Sequence, residues 1–369
     1  MAEIIVENLH KAFGSFVAVR DSTFTVNDGE FFCLLGPSGC GKTTTMRMIA
    51  GLELPTAGRI RLGGEDVTMQ RAAQRDIAFV FQLFALYPHM NVRANIAFPL
   101  KSQGVPREEV ARRVEEAARI LRISHLLDRA VSGLASGDRQ RVALGRAIVR
   151  QPKAFLMDEP LGALDAEFRH VMCGELRALH DRLRATTVYV THDQLEAMAM
   201  ADKIAVMNEG RIEQLAAPQE IYDRPASMFV ADFIGSPAMN FLPCSVAGGG
   251  LARGADRITV VDAEVAIPAL AQDAPGGAFF LGARPEHIAL STDAALRASV
   301  YSAEYLGTTQ IVTLTLRDGT SVKARVSSDV PTRVGDNVGL TLRSERLSLF
   351  QSDGKVLRST LHEAEAVHG

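Results

Sequence analysis

Basic excess is missing from this chain. Lysine and arginine number 40 against 43 aspartates and glutamates, a formal charge of -3, which argues against non-specific nucleic-acid binding. Long apolar runs are missing too. The longest, near Ile77 to Tyr87, is interrupted by Gln82 and is too short to span a bilayer. The opening Met-Ala-Glu-Ile-Ile-Val-Glu has no basic n-region, so no secretory signal is expected. Cysteine is scarce: Cys33, Cys40, Cys173 and Cys244 lie far apart, without metal-ligand spacing, and read as reduced cytosolic thiols. Three of them are expected to be small buried apolar residues. Cys40 differs, because oxidising or alkylating it would obstruct the loop it occupies.

That loop organises the chain. Phe31 to Leu35 is a short apolar run that reads as a buried parallel strand. Gly36-Pro37-Ser38-Gly39-Cys40-Gly41-Lys42-Thr43 then meets every fixed position of the P-loop pattern, and Thr44 to Ala50 has helical apolar spacing with Gly51 able to end it. A triphosphate needs many donors at short range, and successive backbone N–H groups of a glycine loop supply them. Gly36, Gly39 and Gly41 let the backbone approach without a Cβ. Lys42 reaches the outer phosphates, and the Thr43 hydroxyl is placed to ligate Mg2+. The bland reading is a glycine-rich connection between packed elements; strand before and helix after favour nucleotide.

Residues 3 to 35 carry short strand-like runs, punctuated by Gly14 and by Asn27-Asp28-Gly29, a hairpin signal. Phe13 is an aromatic able to stack on a purine, or a half-buried strand residue. Strands are expected at Arg59 to Leu62 and Ile77 to Phe81, the second ending at Gln82, followed by a helix-rich stretch from about Val92 to Arg150. Within it, residues 106 to 122 have amphipathic spacing after a proline-led start. Lys153 to Asp158 reads as a strand with Asp158-Glu159 at its carboxyl end, where functional residues of a parallel sheet collect. Two acids there need a cation or metal beside them. A helix of roughly Ala166 to Arg184 and a strand Thr186 to Val190, ending on Thr191-His192-Asp193, complete a parallel α/β domain.

The texture changes around Ser236-Pro237. Short alternating runs replace helices: Phe279 to Ala283, Ile288 to Leu290, Ser299 to Leu306, Gln310 to Leu316, Val322 to Val326 and Val338 to Leu342. A small all-β barrel or sandwich is expected over 236–369, after an α/β P-loop domain over 1–235 with a helical subdomain at about 88–152. Acids slightly outnumber bases in the β part and aromatics are few, so a packing or regulatory module is favoured over an oligonucleotide binder.

Phe13, the P-loop, Gln82, Leu134 to Arg146, Asp158-Glu159, Leu164-Asp165 and His192, in that order, resemble an ABC-transporter ATPase subunit over residues 3 to 235. The resemblance implies adenine stacking by Phe13 and a phosphate loop of Gly36 to Thr44. It implies a switch glutamine at Gln82 that senses Mg2+ and the attacking water. Asp158 would hold Mg2+, Glu159 would be the general base and His192 would contact the γ-phosphate. Alone, His192 would read as a structural histidine. Asp165 would sit in a loop crossing to a second subunit. Leu83 to Met90 would line a groove for a membrane subunit's coupling helix, or be an ordinary surface loop.

One motif departs from the family. Its signature usually reads Leu-Ser-Gly-Gly-Gln, and here Leu134-Ala135-Ser136-Gly137-Asp138 stands. Ala135 lacks the hydroxyl expected to reach the γ-phosphate in the opposite subunit, Ser136 carries one a position late, and Asp138 adds negative charge at a helix start. Slower hydrolysis or weaker closure is expected unless Ser136 substitutes; harmless drift is the alternative. Gly162, where serine is frequent, is a milder departure.

Phe233 to Leu242, Gly282-Ala283-Arg284-Pro285-Glu286-His287 and Glu345 to Phe350 resemble the junction and regulatory β domain of carbohydrate-importer ATPases, such as those for maltose and glycerol-3-phosphate. That domain is oligonucleotide-binding-like in fold. The implied protein hydrolyses ATP with Mg2+ as a homodimer on the cytoplasmic face of a membrane. It would work with two integral-membrane permease subunits and, indirectly, a periplasmic or extracellular solute-binding protein, without nucleic acid. The rivals are an importer ATPase for a non-sugar solute, a nucleotide-binding regulatory protein with low turnover, and a soluble ABC ATPase acting on nucleic acid or ribosomes.

Overall fold

The computed structural model describes residues 2–81, 85–162, 164–246, 250–274 and 276–363. The chain divides between Pro218 and Gln219 into two compact units. In chain order the first contains β1 (Ile4–Phe13), β2 (Phe16–Val26), β3 (Phe31–Leu35), α1 (Lys42–Ile49), β4 (Ala57–Leu62), β5 (Glu65–Asp66) and β6 (Ile77–Val80). There follow α2 (Val92–Ser102), α3 (Arg107–Ile120), α4 (Ser136–Ile148), β7 (Ala154–Asp158), α5 (Ala166–Leu183), β8 (Thr187–Thr191), α6 (Gln194–Met200), β9 (Lys203–Asn208) and β10 (Arg211–Ala216).

Two sheets make this unit. One is antiparallel, in the order β2-β1-β4-β5; the other runs β10-β9-β3-β8-β7-β6. Within the second, β9, β3, β8, β7 and β6 are parallel neighbours, and β10 returns antiparallel on β9. Every residue of β3 and β8 is buried, as expected of central parallel strands covered on both faces. Ile4, Val6, Phe24 and Ile60 of the first sheet share one core with Phe32, Leu34, Leu156, Val188 and Val190 of the second. The stacked rings of Phe24 and Phe32, 5.0 Å apart, join them. Each such side chain contributes about 1.5–3 kcal/mol on leaving water.

The Asn27-Asp28-Gly29 turn is not a hairpin. It passes the chain from β2, in the antiparallel sheet, to β3, whose partners are the parallel β8 and β9. The hairpin lies at Gly14, φ +60°, between β1 and β2. Its turn residue meets the need for a left-handed backbone.

The P-loop helix α1 ends where expected, with Gly51 left-handed at φ +71° just beyond it. Its last carbonyls are closed from outside. Arg75, 1% exposed, gives Nη1 to the carbonyls of Met48 and Ile49 at 2.6 and 2.8 Å, and its other nitrogens to Gln70 and Thr68. A buried cation here is tolerated because each of its three nitrogens finds a carbonyl. α2, α3 and α4 pack as a helical group, α4 meeting α2 where Gly145 faces Ile96 and Leu121.

The second unit, which starts at Gln219 within helix α7 (Pro218–Asp223), carries α8 (Met228–Phe233) and is otherwise almost all β. One sheet comprises β11 (Asn240–Ser245), β12 (Arg257–Val260), β13 (Ala263–Ala266) and β14 (Phe279–Ala283). The other comprises β15 (Ile288–Ser291), β16 (Leu296–Tyr305), β17 (Thr309–Leu316), β18 (Ser321–Ser327) and β19 (Asn337–Leu342). β20 (Ser348–Gln351) and β21 (Val356–Leu357) complete the first, in the order β13-β12-β11-β14-β20-β21; the second runs β15-β19-β16-β17-β18. β17 alternates half-buried and buried along its length, the period-2 pattern that marked it in the sequence.

The contact division precedes the texture change at Ser236, and α8 falls in the second unit. Arg284 is the reason. It is 1% exposed and donates to the carbonyls of Tyr222, Ala231 and Ile234, closing both short helices onto β14. Its guanidinium also lies over the Tyr222 ring at 4.2 Å, and the Tyr222 hydroxyl donates to Glu286 at 2.5 Å. Burial, then that carboxylate, push the Tyr222 phenol up to about 12.

Candidate nucleotide site

Gly36 to Gly41 connect β3 to α1 as a tight loop. A Cβ at Gly36 would overlap the Met207 carbonyl, and one at Gly41 the Ala18 carbonyl on β2. Gly39 and Gly41 have φ +82° and +105°. The Lys42 ammonium, its side chain 5% exposed, folds back into the loop and donates to the carbonyls of Gly36 at 2.8 Å and Pro37 at 2.9 Å. Cys40 Sγ is 3.8 Å away; burial first, against the pull of Lys42, raises its thiol above the ordinary range. The loop is a lined cradle, with its cation inside.

Two neighbouring strands deliver the remaining groups. The Thr43 hydroxyl at the start of α1 donates to Asp158 Oδ1 at 3.2 Å, spanning from the P-loop to the end of β7. Burial raises the Asp158 carboxyl above its ordinary range; the Thr43 hydrogen bond lowers it, Glu159 raises it, and Arg47 and Lys42 lower it. Glu159 has φ +43°, a left-handed conformation rare for a residue with a Cβ. Its N–H donates to the Val190 carbonyl of β8 at 3.0 Å, and its own carbonyl accepts from Gly162. The carboxylate meets His192 Nδ1 at 3.3 Å, just past the end of β8.

Lys42, Thr43, Asp158, Glu159 and His192 therefore converge at the carboxyl ends of β3, β7 and β8, the usual ligand crevice of an open α/β sheet. Phe13 is 48% exposed at the β1–β2 turn, facing Phe16 across the hairpin, with Lys11 Nζ 4.7 Å from its ring centroid. β2, whose Ala18 abuts Gly41, belongs to the same hairpin. Gln82, Leu83 and Phe84 lie outside the described residues.

The stretch 134–138 is organised by its own neighbours. Ala135 is the N-cap of α4 with no side-chain cap, and Ser136 is its first, half-buried residue. A Cβ at Gly137 would overlap the Phe168 ring of α5. Asp138 pairs with Arg141 at 3.4 Å, and Arg141 with Glu175 at 2.9 Å. Among the described residues no hydrogen bond or ion pair joins 135–138 to Lys42, Thr43 or Asp158. Asp165, expected in a crossing loop, caps α5 through its bond from Phe168 N at 2.9 Å.

Residues that the sequence reading passed over stand behind this front. Glu196, 3% exposed, accepts from Tyr189 at 2.8 Å and Thr191 at 2.7 Å, and Arg169 ties Leu164 to Asp193. Their signal was faint: a charged residue at i+4 from Asp165 and an acid on a short helix look like solvated faces.

Residues 19–162 match the ABC transporter family model, 235–288 the MalK OB fold domain and 281–350 the TOBE domain. The chain is 44% identical to the trehalose import ATP-binding protein SugC of Mycobacterium tuberculosis, covering 99% of this chain and all of the other. It is 56% identical over 257 residues to an sn-glycerol-3-phosphate import ATP-binding protein, UgpC 3, of Rhizobium etli, covering 68% of this chain and 74% of the other. A UgpC of Cereibacter sphaeroides is 44% identical, covering 96% and 99%. Among solved structures, cbiO1 of Clostridium perfringens, described as part of the ABC transporter complex cbiONQ, aligns with a TM-score of 0.56 and 27% identity. It covers 59% of this chain and 89% of that one. With a phosphate loop converging on the ends of β7 and β8 and these relatives along nearly its whole length, the chain belongs to the ABC-transporter family, as an ATP-binding protein carrying MalK-type OB and TOBE domains.

Proposed function

We propose that the chain hydrolyses ATP to power an ABC importer of a sugar or a glycerol-3-phosphate-like solute. The observation that carries this is the Thr43–Asp158 contact at 3.2 Å, which brings the P-loop beside the Glu159–His192 pair. The glycine loop, packed so that a Cβ at Gly36 or Gly41 would strike the Met207 or Ala18 carbonyl, offers the successive N–H donors that a triphosphate takes. Thr43 and Asp158 are hard oxygen donors of the kind Mg2+ takes in ones and twos beside phosphates. Among the described residues there is no cluster of three or more His, Cys, Asp or Glu that would hold a metal by protein alone. Bound Mg2+ would offset phosphate charge. Lys42 would hold the outer phosphates, Glu159 would accept a proton from the attacking water, and His192 would orient that carboxylate.

The working form is read as a homodimer in which Ala135 to Asp138 of one copy complete the nucleotide site of the other. It would sit on the cytoplasmic face of a membrane, with two permease subunits and, through them, a solute-binding protein. No helix among the described residues is long and apolar enough to cross a membrane. A cleft of about 370 Å³ between the parallel sheet and the helical group, lined by Phe79, Tyr87, Phe98, Ala143 and Arg146, suits a coupling helix. Of the described part of the proposed groove, 85–90, Tyr87 lines it.

The test is Mg2+-dependent ATP hydrolysis by wild type beside Glu159→Gln. Turnover that disappears in the variant supports the reading; equal rates, in the presence of permeases, overturn it. The altered signature, Ala135 without a hydroxyl and Asp138 in place of glutamine, favours a second reading: a nucleotide-binding regulator with low turnover.

A further inference from the structure

One guanidinium bonds both loops that flank Glu159. Arg169, on the first turns of α5, gives Nη2 to the Leu164 carbonyl at 2.9 Å and Nη1 to Asp193 Oδ2 at 2.9 Å. Its Nε lies 3.6 Å from Glu196 Oε1, near enough for charge attraction and too far for a hydrogen bond. Leu164 ends the loop that leaves Glu159. Asp193 follows His192, and its other oxygen, Oδ1, caps α6 by accepting from Leu195 N at 2.8 Å. Glu196 is fastened beneath by the hydroxyls of Tyr189 and Thr191 on β8. The two oxygens of Asp193 thus have separate tasks: one caps the start of α6, the other reaches across to α5.

We infer that Arg169 is a positioning residue that locks the loop ending at Leu164–Asp165 to the turn carrying His192, so that the first cannot shift without moving the histidine against Glu159. The inference rests on the reading of Glu159 and His192 as the hydrolytic pair. A planar fork fixes the separation of two acceptors, which a lysine, as a point charge on a flexible stem, does not. The pair is also sheltered: the Arg169 and Asp193 side chains are 27% and 20% exposed, so water screens it less than a surface bridge. A loop placed to feel a second copy of the chain would, through this link, report its arrival to His192.

The test follows the histidine itself. Imidazole resonances of the full-length protein are recorded, His192 is assigned by its loss in His192→Ala, and Arg169→Ala, Arg169→Lys, Asp193→Asn and the Arg169→Ala/Asp193→Asn double variant are compared. Turnover and nucleotide affinity are measured on the same preparations. The His192 signal should move in both Arg169→Ala and Asp193→Asn. Turnover should fall about tenfold or more with ATP affinity held within about twofold, and the double variant should be no worse than the worse single. Arg169→Lys should recover only part of the rate. An unmoved His192 signal in both variants, multiplicative losses, or a fall in ATP affinity that accounts for the rate would overturn the link. Should wild type hydrolyse no faster than Glu159→Gln, the hydrolytic reading fails by itself, and the His192 signal still decides the role of Arg169.

Discussion

His192 Nδ1 lies 3.3 Å from Glu159 Oε1, a contact between the ends of two adjacent parallel strands. With its proton on Nδ1 the ring donates to the carboxylate and presents Nε2 outward. The imidazole is 53% exposed and the carboxylate 22%, so the acid is the more enclosed partner. If the two act as a unit, Glu159→Gln should lower Mg2+-ATP turnover by about 10²–10⁴-fold. His192→Ala should lower it comparably, and the double variant little further, as steady-state rates with nucleotide affinities would show.

Gly137 is required by packing inside this chain. Gly137→Ala gains about 1 kcal/mol of helix propensity, yet its methyl overlaps the Phe168 ring, and overpacking costs about 1–3 kcal/mol. A net loss of melting temperature is expected, recovered when Phe168→Leu is added.

Ser136 carries the single hydroxyl of 134–138. Ser136→Ala should therefore cost about tenfold in turnover, the scale of one lost bond to a charged group. Ala135→Ser should raise turnover above wild type. Equal rates for all three proteins would mean that neither hydroxyl reaches a phosphate.

Glu196 is raised above the ordinary carboxylate range by burial; the Thr191 and Tyr189 hydroxyls oppose this, Asp193 adds to it and Arg169 opposes it. The folded state then holds the proton more tightly than the unfolded chain. The resulting stabilisation is complete below the ordinary carboxylate pKa and is lost as pH rises through the raised value. Glu196→Gln should remove that loss. Melting curves across the acidic to neutral range should show wild type declining relative to the variant as pH rises.

Arg284 closes three carbonyls in the second unit. Arg284→Met should destabilise by about 3 kcal/mol, the scale of breaking a buried charged contact. Arg284→Lys should recover only part of it, since one ammonium cannot reproduce the fork. Denaturant unfolding midpoints would measure both.

Much of this was legible in the chain because it is local. A glycine loop between a strand and a helix, two acids ending an apolar run and a period-2 alternation over 279–342 are set by neighbours in sequence, and the strands and helices appear within a residue or three of those expectations. Asn27-Asp28-Gly29 was misleading for the same reason: a turn signal says that the chain bends, not which sheet receives it. The order β9-β3-β8-β7-β6 is a matter of which distant strands pair, and that pairing alone places Thr43 beside Asp158 and Glu159 beside His192. Arg75, Arg169 and Arg284 were invisible as anchors, because in a sequence a buried arginine looks like a solvated one. Local pattern marked the residues proposed to handle phosphate; long-range packing, which decides where each carbonyl and carboxylate ends up, revealed the arginines that anchor loops and helix ends.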